Sequence, residues 1–187
     1  VAVCMRGKPE GAELFQLWHD ELAAKSEAGL GPWKEGEEEL YRVMWDGIAC
    51  WPNLSFTFKT LKKNGINMVC STYPDIWNLQ YDETSINALC AEYARHYANR
   101  NLKYSVDIIS KHVEEYKLDG IIYHSNRSCK LMDFRTYEIQ RQVQERTGVP
   151  SVIFDGDQTD PRIFSEAQYE TRIQALLEVM AARKEGK

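Results

Sequence analysis

The sequence lacks the features that mark several large classes of protein. It has no run of about 18 apolar residues, which a membrane-spanning helix needs, and its first residues do not follow the basic, apolar and small-residue order of a signal peptide. Its 23 Lys and Arg residues are outnumbered by 28 Asp and Glu residues, so the 187-residue chain carries a formal net charge of −5. This balance argues against a basic surface for nucleic acid. We therefore expect no membrane and no nucleic-acid partner.

Two further absences concern ligands. No G-x-G-x-x-G and no Walker A sequence occurs, so the usual glycine-based phosphate cradles are missing and a dinucleotide-binding function is disfavoured. Cysteine is scarce: the five cysteines are an odd number without a C-x-x-C pair, at Cys4, Cys50, Cys70, Cys90 and Cys129. A disulfide framework and a self-contained zinc site are therefore disfavoured, and the pattern suits a reducing cytoplasm. We expect Cys70 and Cys90, on apolar patterns, to be buried packing residues.

Short apolar runs alternate with amphipathic helical patterns along the chain. The runs predict strands at 40–45, 66–70, 118–124 and 152–154, and the helical patterns cover about 10–28, 54–63, 86–97, 106–116, 134–146 and 165–183. Strands separated by helical crossovers form a parallel sheet. We predict an α/β fold, a doubly wound four-stranded parallel sheet with helices on both faces. Residues 1–34 are expected to be an N-terminal helical lead-in, and 35–187 the α/β domain.

The loop after the third predicted strand holds the most distinctive group of polar residues. In a doubly wound sheet, ligands bind in the loops beyond the carboxyl ends of the strands. This loop places Cys129 before a helix, with Arg127, Lys130 and His124 nearby. Positive charge and a helix N-terminus both favour a thiolate, which a metal ligand and a nucleophile each require. The residues alone leave three readings of Cys129 open: an inert buried cysteine, a metal ligand or a nucleophile.

Three other loops contain candidate residues with two readings each. The loop after the fourth strand carries Asp155, Asp157 and Asp160, which suit either a hard cation or the capping of turns and pairing with Arg162. The loops after the first two strands are rich in aromatics, which predict either the wall of a ligand pocket or plain core: Trp45, Trp51, Tyr73 and Trp77.

Three blocks of sequence, in order, carry a family resemblance. They are RVMWDGIACWP at 42–52, DGIIYHSNRSCK at 119–130 and DGDQTDPRIFSEAQYETR at 155–172. Together they resemble the 2-hydroxyacyl-CoA dehydratases, in particular the alpha-subunit type of 2-hydroxyglutaryl-CoA dehydratase. That family also includes the ATP-dependent benzoyl-CoA reductases.

The resemblance implies an oxygen-sensitive iron–sulfur lyase that removes water from a 2-hydroxyacyl-CoA through a ketyl radical. It further implies a second dehydratase subunit, a separate ATP-dependent iron–sulfur activator that delivers one electron, and a 4Fe-4S cluster held by three cysteines. The last of these ligands maps to Cys129, and the other two belong to an upstream region of a longer subunit, so this fragment alone is expected to be inactive. The resemblance and the loops together place Asn126, Arg127 and Lys130 beside the cluster. The expected substrate pocket comprises Trp45, Cys50, Trp51 and His124.

Two alternatives to the dehydratase reading stay open at this point. One is a subunit of an ATP-dependent benzoyl-CoA-type reductase, which differs in its substrate. The other is a non-catalytic α/β module that docks a partner subunit. Reconstitution with iron and sulfide distinguishes the second alternative, because a docking module would take up no cluster.

Overall fold

The computed structural model of the chain describes residues 4–5, 7–31, 33, 37–82, 84–99 and 101–186. The chain divides into two compact units, Val1–Glu39 and Leu40–Lys187. The first unit contains helix α1 (Pro9–Glu27), which has a proline in its first turn. The domain boundary that we expected between residues 34 and 35 lies outside the described residues.

The second unit contains alternating strands and helices. Its strands are β1 (Tyr41–Asp46), β2 (Ile66–Ser71), β3 (Gly120–Asn126) and β4 (Ser151–Gly156). Its α-helices are α2 (Leu54–Lys63), α3 (Thr72–Asp75), α4 (Ile86–Ala94), α5 (Leu102–Glu115), α6 (Lys130–Thr147) and α7 (Glu166–Lys184). No helix within the described residues is long and apolar enough to cross a membrane.

The four strands form one sheet in the order β2-β1-β3-β4, and every neighbouring pair is parallel. The predicted four-stranded parallel sheet is therefore confirmed. From β1 the chain adds β2 on one side and later returns to add β3 on the other side. The switch point of the topology consequently lies between the carboxyl ends of β1 and β3, where open α/β sheets form their binding crevice.

Helices cover both faces of this sheet, as the sequence predicts. Side chains alternate between faces along each strand, so Val43 and Trp45 pack against α2 and α7, whereas Met44 packs against α5 and α6. Ile122 belongs to the first cluster and Ile121 to the second, and both are fully buried. Complete burial of such a side chain stabilises the fold by about 1.5–3 kcal/mol.

Helix α6 begins four residues earlier than its apolar spacing predicts. The spacing points to residue 134, but the helix starts at Lys130, with Cys129 as its N-cap. The reason is that its first buried side chain is Thr136, so the exposed first turn carries no periodic signal.

At the other end of α6, Gly148 adopts the left-handed conformation (φ 67°) that ends many helices.

Candidate functional site

The loops that follow β1, β3 and β4 meet at the carboxyl edge of the sheet. The amide of Ser128 donates to the Asp157 carboxylate at 3.1 Å, and the amide of Arg127 donates to the Gly156 carbonyl at 3.1 Å. The thiol of Cys50, after β1, lies 3.1 Å from Nε2 of His124 on β3. These contacts bring residues from three separate parts of the sequence into one region at the switch point.

Cys129 is the N-cap of α6, and it contributes backbone hydrogen bonds but no side-chain hydrogen bond to the helix start. Its amide donates to the Asn126 carbonyl at 2.9 Å, and its carbonyl accepts from the amides of Met132 and Asp133 at 3.1 and 3.0 Å. The side chain makes no capping hydrogen bond, is half-buried and forms no disulfide. The expected placement, in a loop at the carboxyl end of a strand and partly accessible, is therefore confirmed.

Asn126 is the buried polar residue that comes before this loop. It is 1% exposed, and its Oδ1 accepts from the Ser128 hydroxyl at 3.2 Å. Its Nδ2 is buried with no hydrogen-bond partner among the described residues. Leaving a buried donor unsatisfied costs about 1–3 kcal/mol, so this amide group is suited to a ligand that supplies an acceptor.

The two basic residues of the loop differ in their surroundings. Arg127 forms an ion pair with Asp155 at 3.1 Å, and both side chains are substantially exposed. Lys130 is exposed in the first turn of α6. The pairing directs the Arg127 guanidinium toward the end of β4, which the sequence did not indicate.

The acidic loop after β4 binds backbone amides. One carboxylate oxygen of Asp157 accepts from the amides of Thr159 and Asp160 at 2.8 and 3.0 Å, and the other accepts from Ser128. These hydrogen bonds, led by the one from Asp160, hold the pKa of Asp157 well below its usual range. Asp160 in turn pairs with Arg162. Of the two readings of this loop, the structure supports capping and pairing.

A complete set of metal ligands is also absent from the described residues. Within the part of the chain that the structure describes, no group of three or more His, Cys, Asp and Glu side chains is placed to hold a metal ion. Any metal centre at this edge would therefore take only part of its ligands from these residues.

Cys50 and His124 form a buried, neutral pair. Nδ1 of His124 lies 2.5 Å from the Ile48 carbonyl and so carries the proton, which makes Nε2 the acceptor for the Cys50 thiol. Burial lowers the pKa of His124 from 6.5 and raises the pKa of Cys50 to about 12.

The Cys50–His124 pair also leaves no space for a side chain at Gly156. A Cβ on Gly156 would lie 2.7 Å from both Cys50 Sγ and His124 Nε2, so this position requires glycine.

Three of the four loop aromatics line an apolar pocket of about 280 Å³. Trp45, Trp51 and Tyr73 form part of its wall, whereas Trp77 packs edge-on against Tyr73. Cys50 and His124, which we expected in the substrate pocket, are not among its lining residues. The side chains that sequence reasoning missed are Leu54, Phe58 and Met68. The i, i+4 spacing of Leu54 and Phe58 directly after Trp51 was the signal that could have identified them.

Two cysteines depart from expectation. Cys90 is exposed and Cys70 is only half-buried, although their apolar patterns predicted burial for both. The reason for Cys90 is that α4 has no buried residue, so its apolar face does not pack on a core. Cys70 lies on β2, which is an edge strand.

The fold and the site define an α/β protein whose candidate ligand-binding residues, a free thiol among them, surround the switch point of a doubly wound sheet. The chain belongs to the family of the 2-hydroxyglutaryl-CoA dehydratase D-component, whose family model matches residues 1–180. The resemblance of the three sequence blocks is therefore confirmed.

Curated relatives agree with this family. The chain is 47% identical to the (R)-2-hydroxyisocaproyl-CoA dehydratase alpha subunit of Clostridioides difficile, over 98% of this chain and 45% of that protein. It is 37% identical to the alpha subunit of (R)-2-hydroxyglutaryl-CoA dehydratase of Acidaminococcus fermentans, over 99% of this chain and 38% of that protein. It is 27% identical to a subunit of the benzoyl-CoA reductase of Thauera aromatica, over 97% of this chain and 44% of that protein. The chain thus spans less than half the length of these relatives.

Proposed function

We propose that this chain is the C-terminal domain of a 2-hydroxyacyl-CoA dehydratase subunit, in which Cys129 supplies one ligand to a 4Fe-4S cluster used in radical dehydration. The proposal is supported by family membership and by relatives that are named dehydratase alpha subunits. The observation that carries it is the free, half-buried Cys129 thiol at the start of α6, three residues after a buried amide without a partner.

The residues present fit one part of such a cluster site. Iron–sulfur clusters are held by cysteine thiolates, and the Cys129 thiol at the start of α6 is half-buried, forms no disulfide and makes no capping hydrogen bond. Because no group of three ligands exists among the described residues, the remaining ligands would be cysteines from the part of the relatives' length that this chain does not span.

The protein's own residues would prepare the site in three ways. Asn126 would donate a hydrogen bond from its Nδ2 to sulfur, and such hydrogen bonds tune reduction potential. Lys130 and the N-terminus of α6 would offset negative charge. Asp157 would hold the loop in place through Ser128. When bound, the cluster supplies the one-electron chemistry that elimination of water from a 2-hydroxyacyl-CoA requires.

The proposed partners follow from the same reading. The relatives' names as alpha subunits imply a second dehydratase subunit, and the electron would come from an ATP-dependent iron–sulfur activator. All five cysteines are free, which is consistent with the reducing conditions of the cytoplasm, our proposed location.

The degree of similarity favours the dehydratase over the reductase. Identity is 47% and 37% to the two dehydratase subunits and 27% to the benzoyl-CoA reductase subunit. A 2-hydroxyacyl-CoA is therefore the proposed substrate, with an aromatic acyl-CoA as the second candidate. The docking-module alternative predicts that no cluster forms.

The decisive experiment is Cys129→Ser in the full-length subunit, purified anaerobically with its partner. We expect the 4Fe-4S cluster to be lost or converted and dehydration to fall to background in the presence of activator and ATP, because a hydroxyl is a far poorer iron ligand than a thiolate. Iron content and electron paramagnetic resonance of the reduced protein measure the cluster directly. The exposed Cys90→Ser is the matched control and should retain both. A full cluster with normal turnover in Cys129→Ser would show that the ligand assignment is wrong.

A further inference from the structure

The apolar pocket lies at the same end of the sheet as Cys129. Its wall includes Trp45 near the end of β1 and Ser71 at the end of β2. Trp45 packs in the cluster that contains Ile122 of β3. Because side chains alternate along a strand, Asn126 lies on the same face as Ile122. The pocket and the unpaired amide of Asn126 therefore share one face and one edge of the sheet.

The lining of the pocket offers a ligand almost no polar group. Among the described residues that form its wall there is no Asp, Glu, Lys, Arg or His. The indole Nε1 of Trp45 already donates to the Ile48 carbonyl at 3.3 Å, and the Ser71 hydroxyl accepts from the Tyr73 amide at 3.2 Å. A carboxylate placed here would lose its hydration and gain no partner, which is strongly unfavourable.

The size and exposure of the pocket indicate what it accepts. Cavities that hold a whole drug-sized ligand range from about 300 to 1,000 Å³, so a pocket of about 280 Å³ suits a single side chain better than a complete acyl-CoA. Trp51 is 50% exposed and Phe58 is 37% exposed. Large apolar side chains at an open rim leave the pocket accessible and are typical of binding sites.

We propose that this pocket binds the substituent on the 2-hydroxyacyl group and selects branched aliphatic or aryl substituents over those that carry a carboxylate. The inference rests on the proposed dehydratase function and assigns it a substrate class. In this arrangement the apolar substituent enters between Trp51 and Phe58, and the thioester end is directed toward the edge that holds Asn126 and Cys129.

The first test compares four 2-hydroxyacyl-CoA thioesters in the full-length enzyme with its partner and activator. Their substituents are methyl, isobutyl, benzyl and carboxyethyl. A single methylene in an apolar pocket changes kcat/KM by about 10- to 200-fold. We therefore expect kcat/KM for the isobutyl or benzyl substrate to exceed that for the carboxyethyl substrate by at least about 10-fold. Equal or better turnover of the carboxyethyl substrate would overturn the inference.

The second test places a charge in the pocket with Phe58→Lys. Phe58 is partly exposed on α2, so the variant is expected to fold. It should lower kcat/KM for the isobutyl substrate and raise it for the carboxyethyl substrate, because the ammonium group would pair with the carboxylate. Ser55→Lys adds the same charge at an exposed position on the same helix that does not line the pocket, and should leave the preference unchanged. An equal loss for all four substrates in Phe58→Lys would contradict the assignment.

A binding measurement separates this inference from the proposed function. Trp45 and Trp51 line the pocket, so their fluorescence reports occupancy without any turnover. Titration of the full-length protein with the isobutyl and carboxyethyl thioesters should show at least about 10-fold tighter binding of the isobutyl compound. If no thioester is dehydrated but this preference is present, the proposed function fails and the pocket assignment stands. Equal binding of the two compounds overturns the assignment whatever the activity.

Discussion

At the scale of single residues, His124 and Cys50 show how burial controls ionisation. Both side chains are almost fully enclosed, and the desolvation of a charge in such a place lowers the pKa of an imidazole and raises that of a thiol. Phe154 stacks on the imidazole with ring centroids 5.1 Å apart, which adds to its isolation from water. The pair therefore acts as a neutral hydrogen-bonded link between β3 and the loop after β1.

This burial predicts a pH dependence of stability. The unfolded chain takes up a proton near the ordinary histidine pKa of 6.5, whereas folded His124 does so only at lower pH. The contribution of His124 is therefore fully present above 6.5, and it is lost as the pH falls toward the lowered pKa of the folded state. We expect the free energy of unfolding, measured in urea, to decline as the pH falls below about 6.5.

The variant His124→Gln should flatten this slope, whatever it does to stability at pH 7. The control is His19→Gln, since the His19 side chain is 75% exposed, and this variant should leave the slope as it is in the wild type. An unchanged slope in His124→Gln would show that His124 is not the group responsible.

At the scale of elements, Asp157 joins the β4–α7 loop to the β3–α6 loop. One carboxylate oxygen organises its own turn and the other accepts from the Ser128 amide, next to Cys129. The start of α6 therefore depends on a residue that follows a different strand. A substitution that stops this side chain from accepting hydrogen bonds both from its own turn and from Ser128 should therefore lower the free energy of unfolding.

Asp157→Asn tests this link. An amide retains one acceptor oxygen and places an NH₂ group where the second oxygen was, so either the turn or the contact with Ser128 is lost. We expect a lower urea midpoint than for Asp160→Asn, whose carboxylate pairs with the exposed Arg162. On the proposed function, Asp157→Asn in the full-length subunit should also lower the bound iron. Equal midpoints for the two variants would refute the structural role of Asp157.

At the scale of the whole molecule, both core clusters lie within the second unit. The described residues of each cluster belong to the sheet and to helices between Leu40 and Lys187. A core of this kind, with helices on both faces of the sheet, contains what an independent domain requires.

Expression of residues 40–187 alone should therefore yield a folded domain. We expect cooperative thermal unfolding, followed by circular dichroism, with helical content equal to that of the same residues in the longer chain. As an internal control, Ile121→Ala in the same domain removes a fully buried side chain and should cost about 2–5 kcal/mol. A non-cooperative transition of residues 40–187 would show that the second unit needs further sequence to fold.

The sequence by itself determined the order of the strands and of every α-helix described except the short α3, the parallel sheet and the place of Cys129. The period of the apolar residues shows which face of a helix or strand is buried. Strands that are connected by helices pair in parallel, because a right-handed crossover returns the chain to the same edge of the sheet. A cysteine between a strand and a helix then falls at the carboxyl edge. The Ser165 side chain caps α7 by accepting from the Gln168 amide, an interaction that depends only on residues close in the chain.

Only the tertiary structure decided which of those loop residues meet. The Cys50 and His124 side chains are 74 residues apart in sequence and in direct contact, and no local pattern encodes that pairing. The unpaired amide of Asn126 and the apolar wall of Leu54, Phe58 and Met68 likewise depend on packing between elements. Cys90 is the converse case, since its apolar pattern is clear but no core lies against it. Local spacing specifies the face of an element, whereas the packing of the whole domain determines what that face contacts.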